Sequence, residues 1–206
     1  DTLLARARQT AFLVPGLTIN CFDERGEETI HESFRFDGGV VDFVDWLASD
    51  GPVTDTWHIQ GEGTFTETVQ ALDPESGHLK AVETERTCEV DCALRWGIGY
   101  EAQLQSFVNI IATPKGGTHV AGFEQAVLKV LRAQVDKNAR KLKVSAKDGR
   151  PEKDDVLAGL TAVVTVRFPE PQFEGQTKEI LGTPQIRSVV ARVVGDWLEA
   201  KFASSK

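Results

Sequence analysis

The sequence contains no methionine. A natural full-length product begins with one, so the expectation is a piece of a longer protein. Any run of about 18 apolar residues is missing too, and no membrane span is expected. The opening stretch "DTLLARARQTAF" mixes acidic and basic residues and lacks a hydrophobic signal core, so a secretory precursor is not expected either. Cysteine is scarce, with only Cys21, Cys88 and Cys92. If "TCEVDCAL" is a strand, Cys88 and Cys92 lie on one face roughly 13 Å apart, at about 3.3 Å per residue. A disulfide needs Cα atoms within about 7 Å, so this pair does not bridge locally. Zinc needs four ligands, and neither a Cys-x-x-Cys nor a histidine pair accompanies the thiols. Plain buried thiols in a reducing cytoplasm are expected.

Net positive charge is absent as well. The chain carries −8, which argues against a general nucleic-acid coat. The charge is uneven, however. Residues 129–150, "KVLRAQVDKNARKLKVSAKDGR", hold eight Lys/Arg against two Asp, a local +6 that leaves −14 on the remainder. Such a strip is either a solvated helix face or a local contact to phosphate backbone. What is present is ordinary globular material: 206 residues, 41% apolar and 26% charged, enough to bury a core in one large or two small domains.

The order of elements reads from local periodicity. "TLLARARQTAFLV" predicts a helix ended by Pro15-Gly16, and "LTINCFDERGEETIHESFRF" predicts a hairpin turning at "DERGEE". Gly38-Gly39 breaks the pattern. In "VVDFVDWLAS" (40–49), Val40, Phe43, Val44 and Leu47 fall at helical spacing. Residues 56–108 read as antiparallel strands, with turns at "DPESGH" (73–78) and "GIG" (97–99). A helix is predicted from about Gly122, with Phe123, Ala126, Val127, Val130 and Leu131 on one face. A shorter helix, "KDDVLAGL", and a strand at 161–168 follow. Thr183 as N-cap and Pro184 at the first helical position open the last helix, whose apolar face is Ile186, Val189, Val190, Val193, Leu198 and Phe202. The pattern is α+β, with helices on one face of a mostly antiparallel sheet.

Few signals carry chemistry. The four histidines are His31, His58, His78 and His119, and none is spaced as a metal pair. G-x-S-x-G, G-x-x-x-x-G-K-[ST] and G-x-G-x-x-G are all absent, so no self-contained nucleotide site of those kinds is present. "GGTH" (116–119) before a helix is either an anion-binding corner or a backbone device for a sharp turn. In the loop after the strand at 161–168, Gly175, Gln176, Thr177 and Lys178 set a flexible glycine beside an amide, a hydroxyl and an ammonium. A lysine on its long stem suits a terminal phosphate, and a glutamine can donate to the same oxygens. Ordinary solvated punctuation is the other reading.

"AFLVPGLTINCFDER", "SFVNIIATPKGGTHVAGFEQAV" and "GLTAVVTVRFPEPQFEGQTKEILG" resemble the B subunit of bacterial type IIA topoisomerases, DNA gyrase or topoisomerase IV. The resemblance covers essentially the whole chain. It implies that residues 1–39 are the C-terminal helix and hairpin of a GHKL-type ATPase domain. Residues 40–206 would then be a transducer domain with a ribosomal protein S5 domain 2-like fold. In that family the Q-T-K loop reaches into the ATP site of the ATPase domain, so the resemblance implies that Gln176 and Lys178 contact the γ-phosphate of ATP. Lys178 would also stabilise charge on the transferring phosphoryl group. The general base and the Mg²⁺ site would lie upstream of this chain. Implied partners are a second B subunit, the topoisomerase A subunit and double-stranded DNA, in the cytoplasm at the nucleoid and not at a membrane. Without the ATPase domain the chain would be inactive, and Lys178 would be solvated with nothing to hold.

The sequence departs from the family in two places. Where many relatives carry "NNI", this chain has "NIIA" (109–112), keeping only Asn109. Where gyrase relatives place an arginine lining the cavity between two transducers, this chain has Glu124. The resemblance does not separate gyrase from topoisomerase IV, although "AFLVPGLT" leans toward the latter. Two other classes remain. A free-standing S5-like nucleic-acid-binding module would bind DNA alone, with a steep salt dependence. A GHKL relative in mismatch repair or chaperone work would share the two-domain logic without explaining "QFEGQTK" together with "GGTH".

Overall fold

The computed structural model describes residues 2–145 and 147–204. The chain falls into two units: Asp1–His58 with Cys92–Leu104 and Ala158–Val163, and Ile59–Asp91 with Gln105–Leu157 and Val164–Lys206.

The first unit begins with α1 (Thr2–Leu13), β1 (Ile19–Asp23), β2 (Ile30–Phe34) and α2 (Val40–Leu47). β1 and β2 pair antiparallel, from Ile19 opposite Phe34 to Asp23 opposite Ile30, as the "DERGEE" turn predicts. Ala7 and Ala11 of α1 pack on Phe34, with Leu4, Ile19, Cys21 and Phe36 around them. Phe12 stacks between Phe36 (centroids 3.7 Å apart) and Phe43 (4.6 Å), which ties α2 to α1. The Arg8 guanidinium covers this cluster, 5.1 Å from the Phe34 ring and 5.3 Å from the Trp46 ring. Val40, Phe43 and Val44 are buried at the helical spacing expected of α2.

The large sheet takes β3 (Trp57–Leu72), β4 (Leu79–Trp96), β5 (Gln103–Val108), β6 (Ile111–Ala112) and β7 (Leu160–Arg167), in the order β3-β4-β7-β5-β6. Strands β3, β4, β5 and β7 contribute residues to both units. β7 is central, and its first seven residues are buried, the continuous apolar signature of a covered strand. β3 alternates instead: Gly63, Phe65 and Glu67 are buried while Thr64, Thr66 and Thr68 are exposed.

The second unit holds α3 (Thr118–Lys137), α4 (Ala139–Leu142), α5 (Lys153–Leu157), β8 (Phe173–Glu174), β9 (Ile180–Leu181) and α6 (Gln185–Ser204). Helix α3 starts four residues before the predicted Gly122, directly after Gly117. Its buried face of Phe123, Ala126, Val127 and Val130 packs with Ile186, Val189, Val190, Val194 and Leu198 of α6. Gly122 sits at the crossing, where a Cβ would collide with the Arg187 carbonyl of α6. Val194, rather than the predicted Val193, is fully buried; Val193 lies beside Gly61 of β3. The architecture is the expected α+β arrangement, and no helix is long and apolar enough to cross a membrane among the described residues.

Cys88 and Cys92 are buried and unbridged as predicted. Cys21 is only half-buried, which corrects the expectation of three buried thiols. Helix α6 starts at Gln185, one residue after the predicted first position Pro184, and the hydroxyl of the predicted N-cap Thr183 accepts the Gln172 N–H at 3.0 Å and so serves the base of a neighbouring hairpin.

Candidate functional site

β8 and β9 form a two-rung antiparallel hairpin, Phe173 opposite Leu181 and Glu174 opposite Ile180. Its tip is residues 175–179, "GQTKE". The tip turns through two left-handed backbones, Gly175 at φ +77° and Lys178 at φ +55°. Glycine adopts that region freely, whereas a lysine there costs on the order of 1 kcal/mol and is held by its surroundings. Gln176, Thr177 and Lys178 are all exposed. The Lys178 ammonium lies 5.9 Å from the centroid of Phe173, within reach of a cation–π contact. It is therefore solvated as expected, but it rests on a ring instead of having nothing to hold.

The descending side of the loop is clamped. Glu179 Oε2 accepts from the Lys115 ammonium at 2.7 Å and from the Thr177 hydroxyl at 3.1 Å. The Lys115 hydrogen bond, with that of Thr177, lowers the Glu179 pKa below the usual carboxylate range. Two backbone bonds run alongside: Lys115 N–H to the Glu179 carbonyl (3.2 Å) and Leu181 N–H to the Gly116 carbonyl (3.0 Å). The ascending side is held through Gln172, whose side-chain amide donates to Glu67 at 3.0 Å and whose carbonyl accepts the Gly182 N–H at 2.8 Å.

"GGTH" belongs to the same neighbourhood and acts structurally. Gly117 has φ +136°, and a Cβ there would collide with the Leu181 backbone, so the corner needs glycine. His119 is fully buried, with Nε2 3.1 Å from the Thr113 hydroxyl, which is itself 2.7 Å from the Ser106 hydroxyl. Burial lowers the His119 pKa from 6.5 to about 4, so the ring is neutral at physiological pH.

Part of the basic strip is locally balanced. Arg150 pairs with Asp136 at 2.9 Å, and Arg132 donates to the Pro151 carbonyl at 2.7 Å. Glu124 forms an ion pair with Lys153 at 2.7 Å. Glu124, Arg132, Asp136, Arg150 and Lys153 line one groove with Lys129 and Gln125. Arg140, Lys141, Lys143 and Lys147 stay exposed.

The structure thus brings Gln176 and Lys178 together on one exposed tip. It adds four residues that sequence reasoning missed: Lys115, Glu179, Gln172 and Glu67. One of them had a readable signal, because the alternation of β3 puts Glu67 on the face of Gly63 and Phe65, where a carboxylate needs a partner.

A family model described as DNA gyrase B matches residues 39–206. The B subunit of DNA gyrase from Streptomyces coelicolor is 36% identical over 220 residues, covering 97% of this chain and 29% of that protein. The gyrase B subunit of Treponema pallidum is 35% identical over 202 residues, covering 98% of this chain and 29% of that protein. The chain therefore spans less than a third of these relatives. Among solved structures, the 43K ATPase domain of Thermus thermophilus gyrase B in complex with an aminocoumarin superposes with a TM-score of 0.70 at 28% identity, covering 98% of this chain and 48% of that one. The topoisomerase IV ATP-binding domain of Francisella tularensis, at 24% identity and a TM-score of 0.68 with 99% and 48% coverage, shares the fold. With the family model matching from residue 39 to the end, this chain belongs to the DNA gyrase B family, the B subunits of type IIA topoisomerases.

Proposed function

We propose that the chain is the coupling part of an ATP-driven topoisomerase subunit. In this reading Lys178 and Gln176 contact the γ-phosphate of ATP bound by a preceding ATPase domain. Residues 1–39 are the end of that ATPase domain and 40–206 the transducer. The observation that carries the reading is the loop itself: a left-handed lysine beside an exposed glutamine, on a tip fixed at both ends. The donor set suits a polyanion, and the carboxylate next to it is already committed, since Glu179 is held by Lys115 and Thr177. The Lys178 charge is therefore not drawn back to its own neighbour.

A contact made only to the third phosphate distinguishes ATP from ADP. A charge-assisted hydrogen bond is about twice as strong as a neutral one, and each 1.4 kcal/mol shifts a population about tenfold. Only such differential binding can drive a conformational change. Loss of the phosphate removes the contact and releases the loop, which couples nucleotide state to DNA strand passage. Mg²⁺ and the general base belong to the ATPase domain. The partners in this reading are a second B subunit, the A subunit and double-stranded DNA, in the cytoplasm. The test is Lys178→Ala in the full-length B subunit, assayed with the A subunit. ATP turnover and supercoiling or decatenation should fall sharply, and near-normal turnover would sink the proposed role.

A further inference from the structure

The segment that feeds the loop is gripped by residues far away in sequence. Glu67 on β3 is buried, and a buried carboxylate must find partners. Gln172 donates its side-chain amide to Glu67 Oε1 at 3.0 Å, and Arg86 Nε on β4 lies 3.7 Å from Oε2. Arg86 then reaches onward, its Nη2 donating to Glu170 Oε2 at 2.6 Å. Gln172 immediately precedes Phe173, the first residue of β8, and Glu170 stands three positions before it. Glu170 stands at φ +53°, another left-handed position on a non-glycine residue. Gln172 also closes the base of the hairpin through its own N–H and carbonyl, to Thr183 and Gly182. Two charged residues of the β3–β4 hairpin thus fix where the tip starts, as Lys115 and Glu179 fix where it ends.

We propose that Glu67 and Arg86 are positioning residues for nucleotide sensing, holding residues 170–172 so that the loop presents Lys178 to the terminal phosphate. This rests on the reading that Lys178 makes that contact. Neither residue touches the nucleotide. They act through geometry, because a hydrogen bond weakens steeply once its donor leaves the favourable distance and angle. A misplacement of about 1 Å at a distance from the reacting atoms is enough for a large loss. The effect must also be selective: ADP has no third phosphate, so a displaced loop weakens ATP and spares ADP.

The experiment uses the full-length B subunit and measures affinity for a non-hydrolysable ATP analogue and for ADP, together with kcat and KM for ATP. Glu67→Ala and Arg86→Ala should each weaken the analogue about tenfold, the scale of one charge-assisted bond, and leave ADP unchanged. Arg86→Lys should recover part of the loss. Because removing buried Glu67 can unfold the chain, Glu170→Ala and Gln172→Ala cut the same links from exposed positions and should give the same selective loss. Lys178→Ala is the reference. If it weakens the analogue selectively while the other four lower only the melting temperature, the four residues are merely structural and this inference is overturned. If Lys178→Ala leaves the ATP-to-ADP preference intact, the phosphate reading itself fails and takes this inference with it.

Discussion

His119 Nε2 stands 3.1 Å from the Thr113 hydroxyl, at the end of a buried chain that runs on to Ser106. The opposite ring nitrogen, Nδ1, is buried with no hydrogen-bond partner. A neutral ring tolerates that, whereas an imidazolium would carry a second, unanswered N–H. Burial accordingly lowers the pKa from 6.5 to about 4. As pH falls, the unfolded chain takes the proton first. The stabilising contribution is therefore complete above about pH 6.5 and lost as pH drops toward 4, reaching on the order of 3 kcal/mol. His119→Gln, which cannot titrate, should flatten that limb of a melting-temperature profile. An unchanged slope between pH 6.5 and 4 would refute the assignment.

Thiol reactivity should divide one against two. Cys88 and Cys92 are fully buried, and burial, with a smaller push from Glu89, raises the Cys88 thiol to about 12. The thiolate is the nucleophile, so Cys88 is inert while the fold is intact. Cys21 on β1 is half-exposed. A disulfide reagent at mild alkaline pH should titrate one thiol in the native protein and the other two only in denaturant. Two fast thiols in the native state would contradict the burial.

The elements legible in the sequence are those fixed by local periodicity. The hairpin at "DERGEE" and the amphipathic stripe of α2 appear where their spacing puts them, and the apolar face of α6 does so except that Val194 replaces Val193. The start of α3 escapes a sequence reading because Gly116-Gly117 and Gly122 read as one broken stretch. In the structure Thr118 bonds the Thr183 carbonyl at 2.8 Å, and Gly122 serves helix packing. The candidate site divides the same way. Gln176 and Lys178 stand out because their types and neighbours are local signals. Their anchors do not, since Gln172 meets Glu67 across 105 positions and Lys115 meets Glu179 across 64. No window along the chain contains both ends of such a contact.

The clamp at Lys115 and Glu179 should govern motion more than stability. Glu179 has its pKa lowered by Lys115 first and Thr177 second, so the clamp is intact above the ordinary carboxylate pKa of 4.5 and is lost as pH falls through the lowered value. Exposed ion pairs contribute little to global stability, so Lys115→Ala should leave the unfolding free energy nearly unchanged. The same change should drop the backbone order parameters of Thr177 and Lys178 below about 0.6, the flexible range. Rigid amides at both positions in the variant would show that the backbone bonds alone hold the tip.

The turn between β5 and β6 carries a strain that one substitution should relieve. Val108 pairs with Ile111, so Asn109 and Ile110 form a two-residue hairpin loop, at φ +46° and +65°. Positive φ at both central positions is the type I′ geometry, which favours Asn-Gly. Asn109 fits, and its side chain also binds the Phe168 backbone from both ends, donating to the carbonyl at 2.8 Å and accepting the N–H at 3.0 Å. Ile110 does not fit, because a β-branched side chain clashes in the left-handed region. It is 50% exposed, so truncating it forfeits little burial. Ile110→Gly should therefore raise stability by about 1 kcal/mol, after the entropy of a freer unfolded chain offsets part of the relief. Ile110→Asn should move in the same direction by less. In urea the midpoint should rise with its slope unchanged, and a lower midpoint would mean that Ile110 packing outweighs the backbone strain.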